Sequence, residues 1–287
     1  MKPFTVTEFF KTFPDDDTCL AHLFKVRFGE TVKCPKCKKE GKFHKIKKQP
    51  CYSCQWCGHH IHPMKNTPFE ASQTPLQKWF YAMYLFTTSR HGVPAKELQR
   101  QLGVTYKCAW RIAHEIRKYM GKVDGDDSLG GHVEVDETYV GGKKRIGEKR
   151  FGMQGAKDHK TIVMGMVERK GSLMTEIIPD VKANHVLPVV EKNVRKGSTI
   201  STDEAHAYKR LKGYKHGTVR HSIEQYRNGI YCTNAIEGFW SQIKRSISGT
   251  HVHVSKKYLQ TYLVEFEYRY NMRFKPFEMF SRLLASF

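Results

Sequence analysis

Four cysteines restrict this chain more tightly than any other local pattern. Cys34-Pro35-Lys36-Cys37 and Cys54-Gln55-Trp56-Cys57 are two Cys-x-x-Cys pairs separated by a short basic segment spotted with aromatics. Thiols three positions apart on a tight turn point the same way, so two such turns can converge on one tetrahedral Zn²⁺. A redox pair would need a thioredoxin-like surround, which is missing. Cys51 stands at the same spacing from Cys54, but Gly58 directly after Cys57 completes an ordinary knuckle, so Cys34, Cys37, Cys54 and Cys57 are the expected ligands. His59, His60 and His62 read as exposed strand residues. A ribbon this small has little core, so the ion must supply most of its folding energy.

Eight lysines between Lys33 and Lys48 crowd the ribbon, and the excess runs through the chain: 49 Lys+Arg against 28 Asp+Glu over 287 residues, a net charge of +21. Such a balance points to a polyanionic partner, nucleic acid above all. No apolar run reaches the ~18 residues of a membrane span, and no apolar signal core follows Met1-Lys2. The expectation is a cytoplasmic, nucleoid-associated protein without a membrane partner. There, cysteines outside the ribbon (Cys19, Cys108, Cys232) are buried thiols rather than disulfides.

Four segments follow from the pattern. Residues 1–30 read as an N-terminal helical segment, with Asp15 to Thr18 opening its second helix. Residues 31–70 are the zinc ribbon. Residues 75–123 begin with an apolar helix from Leu76 to Thr88 and continue as helix, Gly103-containing turn and helix, a helix-turn-helix pattern. Thr105, Tyr106, Lys107 and Arg111 would face DNA, with Leu98, Leu102, Val104, Ala109, Ile112 and Ile116 in the core. Asp124 to Gly131 reads as a polar linker.

Residues 132–287 are the expected catalytic domain. His132 to Val140 alternates, with Val133, Val135 and Glu137 on one side and Glu134, Asp136 and Thr138 on the other. Gly141 to Lys157 looks like a mobile basic loop. Thr161–Val167 and Ser172–Ile178 form a hairpin. A helix over 183–194, a strand ending at Asp203, a short helix over 204–211, a strand over 218–221 and a helix from Thr233 follow. Three strands, helix, strand, helix, strand, helix is the order of an RNase H-like mixed sheet. The fold class is thus multidomain α/β, an RNase H-like catalytic domain preceded by a zinc ribbon and a helix-turn-helix module. In that order the first and fourth strands are neighbours, so Asp136 and Asp203 reach one sheet edge.

The helix opened by Thr233 or Asn234 carries two stripes. Asn234, Glu237, Ser241 and Lys244 form a polar one; Ile236, Phe239, Trp240 and Ile243 form the one to bury. It brings Glu237 over the same edge. Three carboxylates this close repel one another unless divalent cations intervene, and oxygen-only ligands select Mg²⁺ or Mn²⁺. His221 could orient a carboxylate or phosphate, or make a structural hydrogen bond. Further on, Lys256 to Asn271 reads as a helix with Leu259, Tyr262, Leu263 and Phe266 inward and Glu265 and Glu267 on the surface. His251 and His253 are assigned to DNA contact or capping.

These residues carry a resemblance. Cys34-Pro35-Lys36-Cys37, Val135-Asp136-Glu137-Thr138-Tyr139-Val140-Gly141-Gly142-Lys143, Ser201-Thr202-Asp203 and Thr233-Asn234-Ala235-Ile236-Glu237-Gly238-Phe239-Trp240 resemble the ISXO-like bacterial insertion-sequence transposases, with their N-terminal zinc ribbon and DDE core. The resemblance implies metal-dependent DNA cleavage at mobile-element ends and strand transfer into target DNA. It also implies two Mg²⁺ or Mn²⁺ ions held by Asp136, Asp203 and Glu237, and contacts to element-end DNA from Lys244, with Arg245 beside it. Partners would be double-stranded DNA, as terminal inverted repeats and target, and a second copy of the chain. Asn234, one turn before Glu237, is the alternative third ligand; a charged residue offsets two cations better. A domesticated, catalytically silent DNA-binding regulator is the alternative function.

Overall fold

The computed structural model describes residues 4–124, 128–141, 160–204, 206–220, 223–225 and 227–287. The chain divides into two compact units. One comprises residues 1–89, 93–123 and 275–287; the other comprises 90–92 and 124–274.

The first unit opens with α1 (Val6–Thr12) and α2 (Asp16–Phe28). Thr5 and Glu8 form a reciprocal capping box on α1, and Asp15 accepts from the Thr18 amide at 2.7 Å to start α2. Each satisfies an amide that the helix itself leaves without a partner. The ribbon follows as an antiparallel pair, β1 (Val32–Lys33) with β2 (Glu40–Gly41), and a three-stranded sheet of β3 (Phe43–Lys45), β4 (Tyr52–Cys54) and β5 (His60–Ile61). Phe24 of α2 stacks on Tyr52 of β4 at 4.3 Å, so α2 lends the small ribbon a core it lacks. Helix α3 (Leu76–Thr88) buries Trp79, Phe80, Met83 and Phe86. Helices α4 (Ala95–Leu102) and α5 (Tyr106–Val123) complete the helix-turn-helix; Gly103 between them takes the left-handed conformation (φ +59°) that glycine adopts without a Cβ clash.

The second unit holds a five-stranded sheet in the order β10 (Lys215–Thr218), β9 (Thr199–Thr202), β6 (His132–Val140), β7 (Thr161–Glu168), β8 (Leu173–Ile178). β6, β7 and β8 are antiparallel neighbours, while β9 pairs parallel with β6 and β10 parallel with β9. A central first strand flanked by an antiparallel meander on one side and two parallel strands on the other is the RNase H-like arrangement. Helix α6 (Ala183–Asn193) covers one face with Val186, Val189 and Val190 against Val133, Val135 and Met164. Helices α7 (Asn234–Ser246) and α8 (Lys256–Asn271) cover the other, where Ile236, Phe239, Trp240 and Ile243 meet Val163, Val167, Leu263 and Phe266. Burying each such side chain contributes about 1.5–3 kcal/mol.

Several expectations change. The strand expected at 218–221 lies at Lys215–Thr218, with His221 outside the described residues, and the helix expected at 204–211 is a single 3₁₀ segment, His206–Arg210. Residues 142–159, which include most of the expected basic loop, also lie outside the described residues. Asp124 is not a linker residue: it accepts from Asn271 Nδ2 at 2.9 Å, and burial pushes its carboxyl up to about 6. Glu265 and Glu267 are not surface charges. Glu265 is fully buried and ion-paired with Arg269, and Glu267 accepts from the backbone and hydroxyl of Thr175. Period alone shows a face, not that an acid on it has found a buried partner.

The last helix, α9 (Met279–Ala285), belongs with the first unit rather than with residues 132–274. Phe280 packs among Phe4, Phe9, Phe13 and Tyr84, and Phe287 lies on Tyr119 at 4.0 Å. Among the described residues no helix is long and apolar enough to cross a membrane.

One close approach positions α7. Gly165 of β7 pairs with Asp136 of β6, and a Cβ at Gly165 would stand 2.5 Å from the Trp240 ring and 2.7 Å from Ile236. The bare backbone there lets α7 lie flat on the sheet. Replacing Gly165 with Val should cost about 1–3 kcal/mol in denaturant unfolding of this unit; unchanged stability would show that the helix does not depend on this contact.

Candidate functional site

Asp136 lies mid-strand on β6, Asp203 immediately after β9, and Glu237 in the first turn of α7. The parallel pairing of β6 with β9 (His132 with Thr199 through Glu134 with Ser201) runs both aspartates toward the same end of the sheet. All three are half-buried. Burial first, and then the negative charges of Asp203 and Glu237, push the Asp136 carboxyl up to about 6. Trp240 Nε1 donates to Asp136 Oδ2 at 3.0 Å, which works in the opposite direction. Thr233 Oγ1 donates to Glu237 Oε1 at 2.6 Å. The charges therefore feel one another, although among the described residues no choice of one oxygen from each carboxylate brings all three within 4.8 Å of one another. An all-oxygen donor set carrying uncompensated negative charge fits a hard divalent cation.

Asn234 is the first residue of α7 and exposed. Thr233 takes the N-cap position without a side-chain cap bond, since its hydroxyl turns to Glu237 instead. Lys244 and Arg245 are exposed in the last turn; Lys244 stands about 10 Å along the axis from Glu237.

Two acids escaped the sequence reading. Glu137, on the opposite face of β6, accepts a hydrogen bond from Tyr208 Oη and is pushed up to about 7, by burial first and then by the Asp136 and Asp203 charges against the pull of that hydrogen bond. Glu134 is 1 % exposed on the same face as Asp136 and accepts the Ala235 amide at 2.7 Å, the Ile236 amide at 3.3 Å and Arg169 Nε at 2.8 Å. A carboxylate aimed at a helix N-terminus supplies the cap that Thr233 does not. An acid between two valines on an alternating strand ordinarily faces solvent, and the burial of Glu134 shows only once α7 lies over its face of β6.

In the first unit, Cys34, Cys37, Cys54 and Cys57 bring their sulfurs within 4.8 Å of one another, with Cys34 to Cys57 at 3.6 Å and Cys37 to Cys54 at 3.9 Å. A Zn–S bond of about 2.3 Å sets tetrahedral sulfurs roughly 3.8 Å apart, so the donor set fits Zn²⁺. Cys51 lies outside this group, its thiol turned to Gln49 Oε1 at 3.5 Å. On α5, the Thr105 hydroxyl accepts the Cys108 amide and so caps the helix, Tyr106 is 46 % exposed under Lys96, and Lys107 is exposed. Arg111, also exposed, is steadied by the Trp79 ring and by Ser72 Oγ at 3.1 Å. Cys19 is core, its thiol pushed up to about 12 by burial first and the charges of Asp16 and Asp15 next, while Cys108 and Cys232 are half-buried and hydrogen-bonded.

Comparison with known proteins agrees with this division. Residues 128–271 match the model of the ISXO2-like transposase domain, and residues 14–60 match that of the transposase zinc-ribbon domain. A Halobacterium salinarum protein described as an uncharacterized protein in transposable element ISH50 is 26 % identical over 93 % of this chain and 94 % of its own length. An uncharacterized transposase-like protein of Haemophilus influenzae is 29 % identical over 36 % of this chain and 83 % of its own. Two Mos1 structures, a strand transfer complex and a pre-cleavage transpososome, cover 72 % of this chain and 77 % and 78 % of theirs. Both are 12 % identical, with TM-scores of 0.28 and 0.27, and add nothing to what the sheet order establishes. With half its length matched by that domain model and its ribbon by a second transposase model, the chain belongs to the family of transposases with an ISXO2-like domain.

Proposed function

We propose that this transposase cleaves DNA at the ends of a mobile element and joins the freed 3′-hydroxyl to target DNA, with Asp136, Asp203 and Glu237 as its metal-binding carboxylates. The observation that carries the reading is the gathering of acids at one sheet edge, where burial first and then the charges of Asp203 and Glu237 push Asp136 up to about 6. Asp136, Asp203 and Glu237 would hold two Mg²⁺ or Mn²⁺ ions. When bound, such a pair activates an attacking hydroxyl and stabilises the leaving oxygen of an in-line displacement. The chain's own part is placement. The sheet fixes the two aspartates, Trp240 holds one oxygen of Asp136, and Thr233 turns Glu237. Glu237 rather than Asn234 suits this role, because its side chain is half-buried and its charge reaches Asp136.

DNA would be held by Lys244 and Arg245 on α7, by Tyr106, Lys107 and Arg111 on α5 with Thr105 at its cap, and by the lysines of the ribbon, folded on structural Zn²⁺. Joining two ends needs two active sites, so the working form would be a dimer or larger on DNA.

Asp136→Ala or Asp203→Ala should abolish Mg²⁺-dependent nicking of a DNA carrying the element's ends while leaving its gel-shift affinity within about twofold. Cleavage at the wild-type rate by either variant refutes the assignment. Glu237→Ala should be as inactive, whereas Asn234→Ala should retain most activity; the reverse order would make Asn234 the ligand. Removing the metal from the ribbon, or Cys34→Ser, should unfold residues 31–61 by hydrogen exchange and release close to one zinc per chain; a ribbon still protected without metal contradicts this.

The pH dependence has a defined sign. Asp136 titrates higher folded than unfolded, so without divalent metal its contribution to stability is full below about pH 4 and is lost as pH rises through about 6. Added Mn²⁺ should therefore raise the unfolding temperature more at pH 8 than at pH 5. The gain should vanish in Asp136→Asn; an equal gain at both pH values would contradict the assignment.

A further inference from the structure

Each of the three proposed ligands has a polar anchor one or two residues upstream, and the anchors form one network. Glu134 lies two residues before Asp136, Ser201 two before Asp203, and Ala235 and Ile236 just before Glu237. Arg169, in the turn between β7 and β8, is the hub. Its Nε donates to Glu134 Oε1 at 2.8 Å, and its Nη1 contacts His132 Nδ1 at 3.2 Å and donates to the Ile230 carbonyl at 2.8 Å. Its Nη2 donates to the Cys232 sulfur at 2.8 Å and the Cys232 carbonyl at 3.4 Å. His132 Nε2 in turn meets Ser201 Oγ at 2.7 Å. Ser201 is fully buried on β9.

The donor pattern settles the histidine. An arginine can only donate, so His132 Nδ1 accepts and Nε2–H donates to Ser201. Burial and the neighbouring guanidinium lower the His132 pKa, as a neutral imidazole in that role requires. On the other side of the hub, Glu134 has one oxygen on Arg169, with the Cys232 thiol at 3.6 Å, and the other on the first amides of α7. A buried carboxylate left without these partners would cost far more than it contributes. A buried ion pair with this set of partners works best as a device that fixes register and orientation.

We propose that Glu134, Arg169, His132 and Ser201 are positioning residues that hold β6, β9 and the N-terminus of α7 at the separation at which Asp136, Asp203 and Glu237 bind divalent metal together. The inference rests on the metal-binding reading above. Glu134 touches no reacting atom: it acts on α7 through two amides, one turn from the Glu237 carboxylate. Outer partners of metal ligands commonly change affinity by roughly 10- to 100-fold when removed.

The test is a calorimetric Mn²⁺ titration of the full, zinc-loaded chain, with hydrogen exchange at the Ala235 and Ile236 amides as a second readout. Glu134→Gln keeps the size and removes the charge; Arg169→Lys keeps the charge but cannot reach Ile230, Cys232, His132 and Glu134 together; Ser201→Ala removes only the histidine's acceptor and guards against misfolding of the first two. E134Q and R169K should weaken the Asp136-dependent Mn²⁺ affinity at least tenfold and S201A severalfold. Protection at Ala235 should fall in E134Q, while Glu191→Gln, a surface control, changes nothing. Mn²⁺ binding that is lost in D136N but unchanged in E134Q, R169K and S201A overturns the positioning role alone. A wild-type isotherm untouched by D136N overturns the metal reading, and the positioning role with it.

Discussion

Like charges held together at the end of one sheet are the constraint around which the catalytic unit is organised. Asp136 and Asp203 are brought there by the parallel pairing of β6 and β9, and Glu237 by α7 lying flat across Gly165. At 4 Å, two unit charges repel by about 1 kcal/mol in water and roughly four times that near a protein surface. The fold absorbs this in two ways. Asp136 shifts toward its protonated form, and the hydrophobic contact of Ile236, Phe239, Trp240 and Ile243 with the sheet keeps α7 in place. On the proposed reading, a divalent cation would relieve the charge that burial and its neighbours impose on Asp136.

The two units have different sources of order. The catalytic unit has a sheet with helices on both faces and can bury a large core. The ribbon is a few two- and three-residue strands, held by four thiols and by the stacking of Phe24 on Tyr52. The first unit is tied down further by the returning C-terminal helix, whose Phe280 enters the aromatic cluster of α1 and α3. That return makes residues 279–287 part of the first unit's core rather than an extension of the sheet-bearing unit.

What could be read before the structure follows a physical line. Local patterns were legible: the two cysteine pairs, the apolar helix Leu76–Thr88, the alternation of β6, the polar and buried stripes of α7, and the strand order that sets Asp136 beside Asp203. Long-range polar pairing was not. Glu267 looked like a surface acid because its partner, Thr175, is chosen by tertiary packing, whereas Glu265 pairs with Arg269 one turn along its own helix and only its burial comes from the fold. Glu134 passed unremarked because its role as a cap is defined by a helix a hundred residues away. Strand β10 was displaced by three residues because it is short and half-buried, without the alternation that marks β6.

Where divalent metal binds is the decisive observable. A crystal of the full chain soaked in Mn²⁺ and measured at the manganese edge should show anomalous density between Asp136, Asp203 and Glu237, with Asn234 uninvolved. Manganese held elsewhere, or by Asn234 with Glu237 turned away, would contradict it.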